Sequence, residues 1–309
     1  MSLEEEFSGY SNKQAYDAVF ASRMMLRDPE QKDRVLGNTQ RDDFLPVLNG
    51  ILRQLPPQPH VFDVGAGAGD MVDLALKHLV DATLHVEEPN QELLHRYRER
   101  VAQYPTLCCG HVFTQSLQEV IATWPRGEPP LRVDVVLAVH MLYFVDDLVG
   151  TLQALYQCLN PGGVLFVVIA DQLRSTTGRA GRYHYERMGD EDRVNVLDMA
   201  WRQRDNLLGR GEISNILDPV TPPRVDVVRK ESWLYGRTAD DLVAMCLSGE
   251  LLVADDQSFD LRKLESCRRF LDQHGGDVDF GVEERDVAQR GWYRSRQPQI
   301  VTTIRRDAQ

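Results

Sequence analysis

Apolar positions follow two periods along this chain, and each change of period marks an element. Over residues 7–55, Tyr16, Val19, Phe20 and Met24 recur at near-helical spacing, as do Phe44, Val47, Leu48, Ile51 and Leu52. That stretch is predicted to be helical. A polar run at 27–33 separates the two groups, and Leu55-Pro56-Pro57-Gln58-Pro59 breaks the chain before the first strand. From His60 onward, short apolar runs predict strands at 60–64, 83–87, 108–112, 133–138 and 164–170. Helical spacing predicts helices at 71–79, 91–102, 116–122 and 148–159. Strand and helix in alternation imply a mostly parallel sheet with helices on both faces and right-handed crossovers. Asn160-Pro161-Gly162-Gly163 is expected to stop the 148–159 helix, because Pro cannot continue a helix and Asn or Gly can take the left-handed cap position.

The alternation then lapses. Residues 171–182 are polar and basic, and 183–210 are charged with scattered apolar residues, which predicts a partly helical excursion at one sheet edge. A short helix is expected at 212–217, strands at 224–228 and 232–235, and a helix at 242–247 behind the capping box Thr238-Ala239-Asp240-Asp241. Residues 260–271 carry Leu261, Leu264, Cys267, Phe270 and Leu271 on one helical face, and His274-Gly275-Gly276 ends that helix. The last strand is expected at 299–304. No internal repeat or long linker appears, so one domain over 1–309 is the simplest reading.

Candidate chemistry gathers where strands end. His60-Val61-Phe62-Asp63-Val64-Gly65-Ala66-Gly67-Ala68-Gly69-Asp70 is a buried strand, a glycine turn and a helix start. Glycine supplies positive φ and lets backbone approach a ligand without a Cβ between them. Open α/β sheets bind nucleotide-like ligands there. Glu87 and Glu88 end the second strand, 22 and 23 residues after Gly65, where an acid can accept both ribose hydroxyls; the alternation leaves open which of the two faces the ligand. Val139 and His140 end the fourth strand. His140 is polar in an apolar run, so it either contacts substrate or takes a proton, or it is a structural histidine. Ser116, with Gln115 before it, follows the third strand; Ser116-x-x-Glu119 is a capping box and also a candidate ligand loop.

Composition narrows the partners. A net charge of −12 argues against nucleic acid, and no apolar run approaches the roughly 18 residues of a membrane helix. Met1–Glu6 is acidic and lacks a signal-peptide layout. Five cysteines at irregular spacing, without a Cys-x-x-Cys pair, suggest neither a disulfide framework nor a metal site. The expectation is a cytoplasmic protein with a small-molecule partner and no metal. Oligomeric state stays open.

Taken together, Asp63-Val64-Gly65-Ala66-Gly67-Ala68-Gly69, Glu88-Pro89, Ala138-Val139-His140-Met141-Leu142 and Asn160-Pro161-Gly162-Gly163 resemble the class I S-adenosylmethionine-dependent methyltransferases. The Gly-x-Gly-x-Gly spacing fits them better than the Gly-x-Gly-x-x-Gly of nicotinamide oxidoreductases, the competing enzyme class; a silent cofactor-binding module is a third reading. Glu88-Pro89-Asn90-Gln91-Glu92, Arg96-Tyr97-Arg98-Glu99 and Met141-Leu142-Tyr143-Phe144-Val145-Asp146-Asp147 further resemble the histamine N-methyltransferase group.

The resemblance implies a Rossmann-like α/β fold: a seven-stranded, mostly parallel sheet whose last strand runs antiparallel, with helical substrate-binding additions. It implies a helical cap at 1–55, a cofactor-binding half at 56–170, an inserted segment at 171–215 and a C-terminal part at 216–309. It implies methyl transfer from S-adenosylmethionine, leaving S-adenosylhomocysteine, to a small molecule. The favoured acceptor is a nitrogen of an amine or imidazole compound, the alternative an O or C acceptor of a secondary metabolite. Cofactor contacts would fall on Asp63, Gly65, Ala66, Gly67, Glu88, Pro89, Gln115, Ser116 and Val139. Substrate contacts would fall on Glu30, His140, Tyr143 and Gln297, with His140 and Glu30 the catalytic candidates. The group's glutamine on the second helix is Leu93 here, a departure from the group's pattern of cofactor contacts.

Overall fold

A computed structural model describes residues 2–30, 35–124, 129–251, 258–274, 280–283 and 291–307. The chain divides into two compact units. The sheet unit comprises Phe44–Ile169, Asn206–Arg229 and Ile300–Gln309; the helical unit comprises Met1–Asp43, Ala170–Asp205 and Lys230–Gln299.

The strands are β1 (His60–Val64), β2 (Ala82–Glu87), β3 (Leu107–Phe113), β4 (Val133–Val139), β5 (Leu159–Ala170), β6 (Arg224–Lys230), β7 (Trp233–Gly236), β8 (Phe280–Glu283), β9 (Trp292–Arg296) and β10 (Gln299–Arg305). Seven form one sheet in the order β3-β2-β1-β4-β5-β10-β6. β1 lies parallel to β2 and β4, as do β2 to β3 and β4 to β5. β10 runs against β5: Gly162 donates to Arg306 and Asp171 to Pro298, so the partner number falls as the strand number rises. The sheet is the mostly parallel one expected, with an antiparallel strand. The final strand lies inside the sheet, between β5 and β6, rather than at its edge.

Side chains on the central strands alternate between two cores, as a pleated strand requires. Val61, Val135 and Phe166 join Leu76, Leu84 and Tyr97 on one face; Phe62, Val136 and Leu165 join Leu142, Leu152 and Ile300 on the other. Both faces of β4 are therefore dry, which explains its unbroken apolar run.

The predicted strands recur within two residues at each end, except β5, which starts five residues earlier. The helices Gln91–Val101, Leu117–Ala122 and Leu148–Gln157 match closely. The glycine-loop helix is shorter than expected, covering Asp70–Leu74 before a 3₁₀ turn at Leu76–His78. Asn160-Pro161-Gly162-Gly163 corrects its expectation. The helix stops at Gln157, Cys158 caps it, and β5 begins at Leu159. Val133 opposes Leu159 and Val135 opposes Val164, so two steps along β4 face five along β5. The tetrapeptide is a looped-out bulge within the strand. Pro161 offers no N–H to the ladder, and Gly162 takes φ +80° facing open space.

The helical unit packs Thr176–Met188, Ala239–Leu251 and Arg262–Gln273 around Phe7, Val19, Leu242, Met245, Leu264 and Phe270. The antiparallel sheet β7-β9-β8 belongs to it. The predicted excursion is two helices, Thr176–Met188 and Glu191–Arg204. Its Gly/Ser/Thr richness is a packing device: Thr176, Thr177, Gly178, Ala180 and Gly181 are buried, and Ser175 caps the first helix by accepting from Gly178. The capping box at Thr238 forms, since Thr238 accepts from Asp241 N–H and Asp241 from Thr238 N–H. Residues 31–33, Gly275 and Gly276 lie outside the described residues.

Candidate functional site

The strand order reverses at β1, whose two neighbours β2 and β4 connect to opposite sides. The crevice beyond the carboxyl ends of β1 and β4 is where open α/β sheets take ligands. The glycine loop sits there. Gly65 (φ +61°), Gly67 (φ +57°) and Gly69 (φ +83°) all occupy the left-handed region, which costs a residue with a Cβ about 1–2 kcal/mol. Each has a different neighbour. A Cβ on Gly65 would lie 2.7 Å from the Cβ of Met141, and one on Gly69 3.0 Å from the Tyr97 ring. A Cβ on Gly67 would meet nothing within 4 Å. Gly65 and Gly69 thus allow the loop to pack, while Gly67 presents its backbone to open space.

Both glutamates at the end of β2 hold this loop. Glu87 Oε2 accepts from Gly65 N–H at 2.8 Å. Glu88 Oε2 accepts from Gly67 N–H at 2.8 Å, and its Oε1 accepts from Asn90 N–H at 2.8 Å. Asp63, on β1 below them, is 3% exposed, and its Oδ2 has no hydrogen-bond partner. The Tyr97 hydroxyl is also buried without one within hydrogen-bond distance and angle; it still faces Asp63 closely enough to pull the carboxyl down against the larger effects that raise it. Burial, then repulsion from Glu88, Glu87 and Asp70, pushes the Asp63 carboxyl up to about 7. Burial pushes Glu87 up to about 7 as well, against the pull of the Gly65 N–H. A left-handed glycine loop held by two acids, beside an orphaned buried carboxylate oxygen, fits a ligand with ribose hydroxyls and positive charge.

At the end of β4, Val139 pairs with Val168 and His140 N–H donates to Val168 at 2.8 Å. His140 then turns left-handed, with φ +55°. Such an outlier at a strand end is a mark of functional sites. Its Nδ1 lies 3.1 Å from the Tyr143 hydroxyl with the rings stacked, and Phe44 meets the imidazole edge-on.

The remaining predicted residues fall as follows. Ala66 N–H donates to Glu87 O, and Pro89 is exposed beyond β2. Gln115 is exposed; Ser116 forms the capping box with Glu119, its hydroxyl 2.8 Å from Glu119 Oε2. Those bonds hold Glu119 below the usual carboxylate range. Glu30 and Gln297 belong to the helical unit. Glu30 is exposed, with its N–H on Asp28. Gln297 is buried and accepts from Thr177 at 2.7 Å. Tyr97 and Met141 were absent from the predicted site, although both contact the loop. Tyr97 had a signal: with Leu94 and Val101 it forms a buried stripe at helical spacing, where a hydroxyl needs a reason to be present. Among the described residues no group of acids, histidines and cysteines could hold a metal, and no helix is long and apolar enough to cross a membrane.

Residues 62–165 match a family described as a methyltransferase domain. They contain the glycine loop, both glutamates and His140. A trans-aconitate 2-methyltransferase of Rhodopseudomonas palustris is 29% identical over 63% of this chain and 69% of its own length. A histamine N-methyltransferase of Danio rerio is 30% identical over 36% of this chain and 40% of its own length. In fold, the chain is similar to a Bacillus halodurans protein described as a candidate methyltransferase, with a TM-score of 0.50, 12% identity, and coverage of 85% of this chain and 98% of that one.

Proposed function

We propose that this chain, an S-adenosylmethionine-dependent methyltransferase with a small-molecule acceptor, methylates a nitrogen of an amine or imidazole compound of histamine-like chemistry. S-adenosylmethionine supplies a methyl group already activated on a sulfonium, so the protein's task is orientation, exclusion of water and proton handling. The backbone at Gly65, Ala66 and Gly67 would hold the donor, with Asp63, Pro89, Val139 and the Gln115–Ser116 loop around it. Glu88 is the assigned ribose acid of the two candidates, because it sits against Gly67, the loop position that faces open space.

His140 and its Tyr143 contact carry the nitrogen reading. An amine or imidazolium must lose a proton before its lone pair can attack. In the tautomer whose Nδ1–H donates to the Tyr143 oxygen, 3.1 Å away, Nε2 is the basic nitrogen of His140. Tyr143 would fix that tautomer, and His140 would orient the acceptor and take its proton. Glu30 and Gln297 remain candidate contacts for the acceptor cation.

The second reading is a carboxylate oxygen acceptor, favoured by the longer alignment with the trans-aconitate enzyme. A carboxylate is already the nucleophile and has no proton to give. Mass spectrometry after incubation with S-adenosylmethionine and either histamine or trans-aconitate tests the choice. Methyl gain on histamine and related amines alone is expected; gain on the tricarboxylate alone would overturn the nitrogen reading.

A further inference from the structure

The glycine loop is lined by carboxylates without a cation. Asp63, Glu87 and Glu88 are 3%, 2% and 6% exposed, and among the described residues no ion pair reaches any of them. The neighbouring arginine, Arg100 on the Gln91–Val101 helix, is held by Asp70 at 2.6 Å and Asp73 at 3.1 Å. Glu87 and Glu88 spend part of their acceptor capacity on loop N–H groups. Asp63 Oδ2 takes no hydrogen bond, and the fully buried Tyr97 hydroxyl facing it makes none. Cys109 on β3 adds a thiol that burial pushes up, and its interaction with Tyr97 is also repulsive to charge. The charged groups that act on Asp63 are Glu88, Glu87 and Asp70, all acidic; of the nearby arginines, Arg100 is paired with Asp70 and Asp73, and Arg98 acts on Cys109. A buried acid in such surroundings holds its proton. An incoming cation reverses that balance.

We propose that Asp63 and Glu87, with the Glu88 carboxylate beside them, form one proton-exchanging unit that reads the charge of the ligand on the glycine loop. The inference rests on the methyl-donor reading. The donor's sulfonium is positive, so its arrival favours the ionised unit and expels a proton. Methyl transfer moves the methyl to the acceptor and leaves a neutral thioether, and the unit regains its proton from solvent. Donor binding is thereby favoured by deprotonation and product release by protonation, so selectivity for donor over product rises with pH. Burial of the two carboxyls at the strand ends pushes Asp63 and Glu87 up to about 7, which places the exchange in the neutral range.

Isothermal titration in two buffers of different ionisation enthalpy, at pH 7, counts the protons without catalysis. S-adenosylmethionine is expected to release about half a proton more per site than S-adenosylhomocysteine. By the same linkage, the ratio of product Kd to donor Kd rises about threefold per pH unit. Asp63→Asn, which preserves shape, is expected to remove most of the excess. Glu87→Gln is the second variant, and thermal melts of both without ligand establish folding. Equal proton release for the two ligands overturns the proposal, as does an excess that survives both substitutions. Failure of both ligands to bind is a different result: it overturns the methyl-donor reading itself.

Discussion

His140 is the residue at which stability and the proposed acceptor chemistry pull apart. Its left-handed backbone costs about 1–2 kcal/mol for any residue with a Cβ. In ordinary helix or strand positions alanine is more stable than glycine by about 0.5–1 kcal/mol. Here the order is expected to reverse, with His140→Gly more stable than His140→Ala by about 1 kcal/mol in chemical denaturation. Both variants are expected to lose turnover by about 10²–10³-fold, the usual reach of a positioned base, while donor affinity stays within twofold. Unchanged turnover at saturating donor would leave His140 without an acceptor role. The pH–rate profile separates the two acceptor readings as well: a nitrogen acceptor gives a rate rising with pH through the neutral range, whereas a carboxylate acceptor gives none from the acceptor above about pH 5.

At the scale of elements, the glycine loop and the β5 bulge make an internal comparison. Gly67 and Gly162 both have positive φ, and a Cβ at either would meet nothing within 4 Å. Gly67→Ala and Gly162→Ala are therefore expected to cost similar stability, about 1–2 kcal/mol from the backbone alone. Donor affinity should distinguish them, falling at least tenfold for Gly67→Ala and remaining unchanged for Gly162→Ala in calorimetry. Equal affinities would mean that the open space above Gly67 is not where the donor lies. Gly65→Ala differs in kind, since its Cβ would lie 2.7 Å from Met141 and separate the ends of β1 and β4. How legible the elements were follows the same division. Strands with two dry faces declared themselves as apolar runs. The bulge did not: Asn-Pro-Gly-Gly suits a helix stop and a strand bulge equally, and only pairing with β4 and β10 chooses between them.

For the molecule as a whole, two sets of buried groups titrate in opposition. His85 is stacked between His60 and His111, at 5.4 and 5.3 Å. Its Nδ1 accepts from His111 N–H, so its Nε2 side donates to His60. Burial, then the neighbouring imidazoles, lowers it to about 4. From pH 6.5 down to 4 the unfolded chain binds more protons at this site, so stability present above 6.5 is lost as pH falls. Asp63 and Glu87 have the opposite sign. They are raised to about 7 from 3.8 and 4.5, so the folded chain binds more protons between about pH 4 and 7, and stability falls as pH rises through that window. The two effects partly cancel between 4.5 and 6.5. His85→Gln is expected to expose a steeper decline with rising pH, and Asp63→Asn a shallower one, in denaturation series without ligand. S-adenosylmethionine at one fixed concentration, a hundredfold excess over its Kd at pH 7, should add about 2.7 kcal/mol at that pH. That increment should grow with pH if the carboxylates answer the donor's charge.

The strand–helix alternation, the parallel sheet and the place of the glycine loop were legible in the sequence. These follow from local period and from glycines with no other use at alternate positions after a buried strand. It also placed Asp63, Glu88 and His140 at strand ends, because a polar residue closing an apolar run has few places to go. Tertiary structure decided the rest. It showed that Glu87 and Glu88 both grip the loop, since that depends on which backbone N–H each carboxylate meets rather than on strand alternation. It revealed Tyr97 facing Asp63 from a helix more than thirty residues away, and Met141 packed on Gly65. Ser116, which the sequence offered as cap or ligand contact, forms the cap. Hydrophobic period is a property of neighbours in the chain, whereas burial of a charge and the partner it lacks are properties of neighbours in space.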